Sequence, residues 1–187
     1  MKYLLIFLAL IIILLLVFIK TKEQFDTKKT NDIENKIPKT IIQTWKTNKI
    51  PNKYKILVES IKKNNNEFKY ILITDQDMEN LVKNKYPEYY NKFSNLKKKI
   101  MKIDFIRCLA IYHYGGFYFD LDMSINKNLS PLCKYNAIVP IELYNNTDKI
   151  LQKQNMNYLL GNYALAGSRG NKFFKLVCEN ILNERID

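Results

Sequence analysis

The sequence predicts an α/β fold in which a sheet is flanked by helices. From Ile37 onward, short runs of β-branched and aromatic residues alternate with longer stretches whose apolar residues recur at helical spacing. This alternation is typical of a parallel sheet. A domain of about 150 residues is large enough to enclose a single hydrophobic core.

Each predicted element follows from a local pattern. Residues 40–45 and 70–74 are short apolar runs and are predicted as strands, whereas a Pro51 loop and an amphipathic stretch predict a helix over 54–63. The remaining predicted elements are helices over 76–85, 88–96, 100–114 and 171–183, and strands over 117–122, 137–141 and 158–166. The apolar stripe of the last helix is predicted to comprise Phe173, Phe174, Val177 and Ile181.

The segment from Gly115 to Asp122 (GGFYFDLD) is the most informative stretch of the chain. A glycine turn leads into an aromatic strand that ends in Asp120 and Asp122. Side chains two residues apart on a strand point to the same face, so these carboxylates are predicted to converge on one cation. Carboxylate oxygens suit Mg²⁺ and Mn²⁺, which in turn hold phosphates.

The helix before these glycines carries a second pair of charges. Its apolar stripe is predicted to comprise Ile100, Ile103, Ile106, Leu109 and Ala110. Asp104 and Arg107 lie i, i+3 and share a face, which by itself fits an ordinary ion pair worth a few tenths of a kcal/mol. Gly115 is placed to end the helix, and Gly116 permits a sharp reversal into the strand. The four charged side chains are therefore predicted to lie together.

These patterns jointly resemble the DXD-motif glycosyltransferases with a sugar-binding region (glycosyltransferase family 32), which include fungal initiating α-1,6-mannosyltransferases and inositol phosphoceramide mannosyltransferases. The resemblance runs from about Ile37 to about Cys178. It is carried by residues 37–46 (IPKTIIQTWK), 70–75 (YILITD), 104–107 (DFIR) and 115–122. The resemblance implies a GT-A type fold, with a Rossmann-like mixed sheet, and a nucleotide diphosphate sugar as donor. It also implies Mn²⁺ or Mg²⁺ and retention of the anomeric configuration.

The resemblance also implies roles for single residues. Arg107 and Asp104 would contact the donor sugar and its phosphates, while Asp120 and Asp122 would serve the sugar or ribose and the metal–diphosphate. Trp45 would stack on the nucleotide base, although a core position at the end of the first strand explains it equally well. Gln43 would be a polar neighbour in the same pocket. Asn162 matches a donor-site asparagine, but a turn at a strand end is an equivalent interpretation.

The amino terminus predicts a membrane anchor. The run from Tyr3 to Ile19 is uncharged and as a helix would span about 26 Å, close to the roughly 30 Å hydrocarbon core of a bilayer. No small-residue cleavage motif follows it, which favours an anchor over a cleaved signal peptide. We therefore predict an anchor over residues 1–20, a flexible stem over 21–36 and a catalytic domain over 37–187.

The orientation of this anchor has two interpretations. Lysines that follow the span favour a cytoplasmic domain by the positive-inside rule. The resemblance instead implies a type II protein with its catalytic domain in the ER or Golgi lumen, and this is the orientation that we expect. The net charge of +12 arises from 27 Lys and 3 Arg dispersed along the chain. Because arginine best reads phosphates and bases, this composition disfavours a nucleic-acid partner and is better suited to a membrane surface or an anionic donor.

The function predicted from the sequence is metal-dependent hexosyl transfer from a nucleotide sugar to a glycan or lipid-linked acceptor. GDP-mannose, UDP-glucose and UDP-galactose are all compatible with it. Relatives continue beyond the final helix, whereas this sequence ends at Asp187. The main alternative is therefore a truncated, catalytically inactive homologue that binds nucleotide sugar or glycan.

Overall fold

Strands and helices alternate along residues 36–144, 149–153 and 155–183, which the computed structural model describes. The strands are β1 (Thr40–Thr44), β2 (Lys69–Ile73), β3 (Gly116–Phe119), β4 (Ala137–Ile138), β5 (Ile141–Tyr144), β6 (Tyr158–Leu160) and β7 (Ala164–Gly167). The helices are α1 (Asn52–Asn64), α2 (Asp75–Lys85), α3 (Pro87–Ser94), α4 (Lys99–Tyr114), α5 (Lys149–Lys153) and α6 (Lys172–Leu182). Within the described ranges, no helix has both the length and the apolar character needed to cross a membrane. The predicted anchor and all but the last residue of the predicted stem lie outside these ranges.

Five strands form one mixed sheet in the order β2-β1-β3-β7-β4. β1 pairs in parallel with both β2 and β3, whereas β7 runs antiparallel to β3 and to β4. The parallel sheet predicted from the alternation of elements therefore holds only for the first three strands. The mixed sheet that the family resemblance implied is confirmed.

Two predicted strands are each divided in two. The strand expected over 137–141 breaks at Pro140, and the strand expected over 158–166 breaks at Gly161. Proline has no N–H to give to a ladder, so pairing stops there. The two breaks face each other, because Gly161 N donates to the carbonyl of Pro140 at 2.9 Å. Beyond them, β5 and β6 leave the main sheet, and among the strands that the structure describes they pair with each other alone.

Apolar side chains cover both faces of the sheet. On β1 and β3, alternate residues point to opposite faces, as the two-residue period of a strand requires. Ile42 and Tyr118 pack towards α4 and α6, whereas Ile41 and Phe117 pack with Ile61 of α1. The central helix α4 is buried continuously from Phe105 to Ile111, so its apolar face is wider than a simple stripe.

Two predicted core positions face solvent instead. Ile100, in the first turn of α4, is 52% exposed, and Phe173, in the first turn of α6, is 44% exposed. Ile100 lies more than one turn before Phe105, where continuous burial of α4 begins. Phe173 instead precedes the fully buried Phe174, and because successive helical residues are rotated by about 100°, it points away from the core. In α6 the buried positions are Phe174, Cys178, Ile181 and Leu182.

The two glycines after α4 both adopt positive φ, +67° at Gly115 and +111° at Gly116, as the sequence predicted for the reversal into β3. Gly115 N closes the helix by donating to the carbonyl of Ile111 at 2.8 Å. At Gly116 a Cβ atom would lie 2.4 Å from the carbonyl oxygen of Thr40. Only glycine therefore lets β3 start this close to β1.

We expect Gly116→Ala to lower the free energy of unfolding by about 3 kcal/mol or more, because left-handed backbone strain adds to a clash in a packed core. Gly170→Ala is the matched control, since Gly170 also has positive φ (+73°) but has open space around its Cβ direction. The Gly170→Ala variant should lose only about 1–2 kcal/mol of its free energy of unfolding. Urea unfolding of both variants measures the difference, and equal losses would contradict the proposed clash.

Candidate active site

A cluster of charged side chains lies where the carboxyl ends of β1 and β3 meet α4. The two strands are parallel neighbours, so both leave the sheet at the same edge, which is where ligands bind in open α/β sheets. β1 leads into Trp45 and β3 leads into Asp120. Asp104 and Arg107 lie in the middle of α4. The structure therefore brings together the helix pair and the first aspartate of the motif, as predicted.

Arg107 is the centre of this cluster. Its side chain is only 11% exposed. Nη1 donates to Oδ1 of Asp104 at 2.9 Å, and Nη2 pairs with Oδ1 of Asp120 at 2.9 Å. The intrahelical pair considered from sequence thus forms, but the same guanidinium also joins the helix to the end of β3.

Tyr118 is a member of the cluster that sequence reasoning missed. Its side chain is fully buried, and its hydroxyl donates to Oδ1 of Asp120 at 2.7 Å. The hydroxyl oxygen of Tyr118 in turn accepts from Nε of Arg107 at 3.1 Å. Because the single hydroxyl proton is used by Asp120, Thr44 Oγ1 must be the donor in its 3.0 Å contact with Tyr118. A signal for this role was available, since Tyr118 lies two residues before Asp120 and would share its face of the predicted strand.

Burial shifts the acid–base properties of these groups. It raises the pKa of Asp104 and of Asp120 above the usual carboxyl range, although Arg107 opposes the shift in both cases. Burial alone would lower the pKa of Arg107, but Tyr118 and the two carboxylates outweigh it and raise that pKa. Arg107 therefore remains a protonated, rigidly held fork of N–H donors.

A pocket of about 280 Å³ opens beside this cluster. Arg107, Asp120 and Asp122 line it together with Trp45, which is half-buried and meets Tyr54 edge to face at 5.6 Å. An ion pair between Asp75 and Lys99 lies on its wall. The other lining residues are Thr44, Lys46, Met78, Ile103 and Leu121. An aromatic wall beside a cationic fork suits a ligand with a flat ring and an anionic group.

Trp45 therefore does not simply close a strand inside the core, and its ring is available to the pocket. Three lining residues of α4 were recognisable in principle, because Lys99, Ile103 and Arg107 are spaced by four and share one helical face. Sequence reasoning singled out only Arg107 of these three.

Asp120 and Asp122 converge by a different route from the one predicted. β3 ends at Phe119, and the chain then turns, with Met123 N donating to the carbonyl of Asp120 at 3.1 Å. The premise that both aspartates lie on a strand was therefore wrong, although both line the same pocket. Asp122 is exposed. No group of three or more His, Cys, Asp or Glu side chains that could hold a metal occurs within the described residues.

Gln43 and Asn162 lie on either side of the cluster but outside the pocket wall. Gln43 is completely buried. Its amide nitrogen donates to the carbonyl of Asp120 at 3.2 Å, and its amide oxygen accepts from the hydroxyl of Tyr70 at 2.8 Å. Asn162 is exposed, and its side-chain amide donates to Oδ1 of Asp104 at 3.2 Å. Gln43 thus fixes the backbone at Asp120, and Asn162 fixes the carboxylate of Asp104.

Comparison with known families identifies the same region. The model of a family described as "Glycosyltransferase sugar-binding region containing DXD motif" matches residues 51–144. This range includes Asp104, Arg107, Asp120 and Asp122, but it begins after Trp45.

The similarity to curated relatives covers a larger share of the chain than the family model does. Inositol phosphoceramide mannosyltransferase 3 of Schizosaccharomyces pombe is 35% identical over 135 residues, which cover 67% of this chain and 37% of the relative. Mannosyl phosphorylinositol ceramide synthase SUR1 of Saccharomyces cerevisiae is 38% identical over 55% of this chain and 27% of its own length. The chain thus matches little more than a third of these relatives at most.

Among solved structures, a chain described as PaToxG Glycosyltransferase has a TM-score of 0.49 and 15% identity, covering 91% of this chain and 73% of that one. Nothing about the site is inferred from a superposition this loose.

We expect Tyr118→Phe to lower the free energy of unfolding by about 1–3 kcal/mol, because Nε of Arg107 loses its acceptor while it stays buried. Tyr158→Phe removes a hydroxyl from a residue that is 48% exposed, and its change should stay within about 0.5 kcal/mol. Urea unfolding of both variants measures the effect. Equal stability of the two would show that the Tyr118 hydroxyl does not support the cluster.

Proposed function

The chain belongs to the family of glycosyltransferases whose sugar-binding region contains a DXD motif, and on this premise we propose the function of its site. We propose that the domain has a GT-A type fold and transfers a hexose, with divalent metal, from a nucleotide diphosphate sugar to a glycolipid acceptor. The observation that carries this proposal is the fork of Arg107, held between Asp104 and Asp120 beside an aromatic pocket.

Arg107 would bind the donor where its diphosphate meets its sugar. The two carboxylates and Tyr118 fix the guanidinium plane, so little side-chain entropy remains to be lost on binding. Negative charge that develops on the leaving phosphate would be stabilised by this preoriented cation. The carboxylate of Asp104 would accept hydrogen bonds from sugar hydroxyls, and the side-chain amide of its partner Asn162 would donate to them. Trp45 would stack on the base.

The donor set at the motif fits a magnesium or manganese ion. Asp122 is exposed, and the described residues give its side chain no ion pair, whereas both bonds of the Asp120 carboxylate use Oδ1. Asp122 and Oδ2 of Asp120 would thus supply the protein ligands. Such ions commonly use one or two carboxylates and take their other ligands from phosphates and water. The ion would neutralise charge on the donor diphosphate.

The acceptor side of the proposal rests on the names of the relatives. Two of them are described as acting on inositol phosphoceramide or as making mannosyl phosphorylinositol ceramide. A mannosyl donor and a lipid acceptor with a polar head are therefore our proposal for this chain. We propose retention of configuration, which requires no separate protein base, because the departing phosphate can assist the acceptor.

The membrane anchor over residues 1–20 and a lumenal orientation of the domain are part of the same proposal. They rest on the hydrophobic run from Tyr3 to Ile19. A lipid acceptor lies in a bilayer, so an anchor would keep the enzyme and its substrate on one surface.

The first test is donor turnover by the full chain against GDP-mannose, UDP-glucose and UDP-galactose with Mn²⁺, beside Asp122→Asn. We expect metal-dependent turnover of one donor, with GDP-mannose favoured. Because Asp122→Asn removes a charged ligand but keeps the side-chain volume, the variant should lose about 100-fold in turnover.

The control variant is Glu59→Gln, an exposed carboxylate of α1 outside the pocket, which should keep full turnover. Metal-dependent binding of a donor without turnover would identify the inactive binding homologue instead. If no donor binds, the assignment of the site is wrong.

Arg107→Lys keeps the positive charge but removes the fork, because an ammonium cannot bridge two carboxylates in one plane. We expect a loss of about 100-fold in kcat/KM for the donor. Arg169→Lys, at an exposed arginine, is the matched control and should leave kcat/KM unchanged. Equal activity of the two variants would show that charge alone, not the held fork, serves the donor.

A further inference from the structure

The β5–β6 hairpin exposes an apolar face that the donor site does not use. Its register pairs Ile141 with Leu160 and Tyr144 with Tyr158, with an irregularity between Ile141 and Leu143. Residues that oppose each other across a ladder lie on the same face. The irregularity therefore places Ile141 and Tyr144 on one face together with their partners, although they are three residues apart.

All four residues of this face are solvent-exposed in the described structure. The exposed fractions are 41% for Ile141, 54% for Tyr144, 48% for Tyr158 and 44% for Leu160. A two-stranded sheet is marginally stable by itself in water, and contiguous exposed apolar side chains mark interaction sites. This hairpin face thus has the character of a surface that another body covers.

One end of the hairpin is connected to the candidate active site by hydrogen bonds. Gly161 N donates to the carbonyl of Pro140 across the base of the hairpin, and the next residue, Asn162, bonds Asp104. Asp104 and Asn162 are not among the residues that line the donor pocket. Strand β6 of the hairpin therefore leads, within two residues, to a side chain that bonds the cluster on the side of Asp104.

The composition of the hairpin and the charge of the chain favour a lipid surface as the covering body. On this face a tyrosine pair lies next to an aliphatic pair, and rings with polar tips beside aliphatic side chains are typical of a bilayer interface. Helix α5, which lies between the two strands in the chain, contributes the exposed Lys149 and Lys153. The net charge of +12 attracts the chain to anionic lipid. The proposed acceptor resembles the inositol phosphoceramide of the relatives' names, and its phosphate would make the bilayer surface anionic on the lumenal side as well.

We propose that the β5–β6 hairpin seats the domain on an anionic bilayer surface, so that a lipid-borne acceptor head reaches the Asp104 side of the site. This inference rests on the proposed function, which gives the acceptor its lipid. The contact itself is independent of turnover and of the predicted anchor.

The test places a fluorescent label at the hairpin of the full chain in vesicles that contain phosphatidylserine. Tyr158→Cys takes an environment-sensitive label, and Ile56→Cys, at a residue of α1 that is 71% exposed, is the matched control. The three native cysteines should react little with the label because all are buried. Labelling of the unsubstituted chain measures the fluorescence that they contribute. The apolar environment of the bilayer should blue-shift the emission of the label at 158, and spin-labelled lipid should quench it. Neither change should occur for the label at 56.

Three results would overturn the proposal. The label at 158 would remain as water-exposed as the label at 56, or it would be as well protected in neutral vesicles as in anionic ones. Protection that appears without lipid, and rises with protein concentration, would instead show that a second protein covers the hairpin.

A functional arm separates failure of this inference from failure of the proposed function. Tyr158→Ser with Leu160→Ser removes two apolar side chains from the face and should lower transfer to a vesicle-embedded acceptor at least about tenfold. Donor hydrolysis should be unchanged, and Ile56→Ser should change neither rate. Unchanged vesicle transfer in the double variant would overturn the hairpin's role while leaving the enzyme established. Lipid contact at 158 without any transfer would uphold the contact and remove the proposed function.

Discussion

The burial of the Arg107 charge is the constraint on which the site depends. A guanidinium that is 11% exposed is strongly destabilising unless its N–H groups are paired. Asp104 lies one turn earlier on the same helix, but Tyr118 lies in β3 and Asp120 follows its last residue. The helix and the strand must therefore keep one relative placement for the charge to be tolerated. The need to pair a buried cation thus also fixes the shape of the pocket.

The glycines between α4 and β3 make that placement attainable. Positive φ at both residues turns the chain within two positions, and the missing Cβ at Gly116 lets β3 approach the backbone of Thr40. The same close pairing of β1 and β3 brings Thr44 to the hydroxyl of Tyr118. The backbone conformation at the two glycines therefore sets the pairing of β1 with β3. That pairing in turn positions the hydroxyl groups whose hydrogen bonds hold Arg107.

Sequence reasoning succeeded where a signal was local. Periodicity located α4, the glycines located its end, and the spacing of Asp104 and Arg107 put them on one face. It failed where tertiary contacts decide. The turn after Phe119 replaces the expected strand at Asp122, and Pro140 and Gly161 divide two predicted strands by facing each other across the chain. The burial of Gln43 depends on Tyr70, a partner on another strand that no single segment reveals.

The polar cluster also separates two parts of the site. Asp120 lines the donor pocket whereas Asp104 does not, and Arg107 holds one with each end of its fork. The guanidinium therefore stands at the boundary between the aromatic pocket and the segment that runs from Asn162 into the hairpin. In the proposed reaction the bond to the leaving phosphate would break at this boundary. Asp104 lies beyond the guanidinium from the pocket, and its Oδ1 is held by Arg107 and by Asn162. Its carboxylate would therefore meet the transferred sugar on the side from which the acceptor arrives.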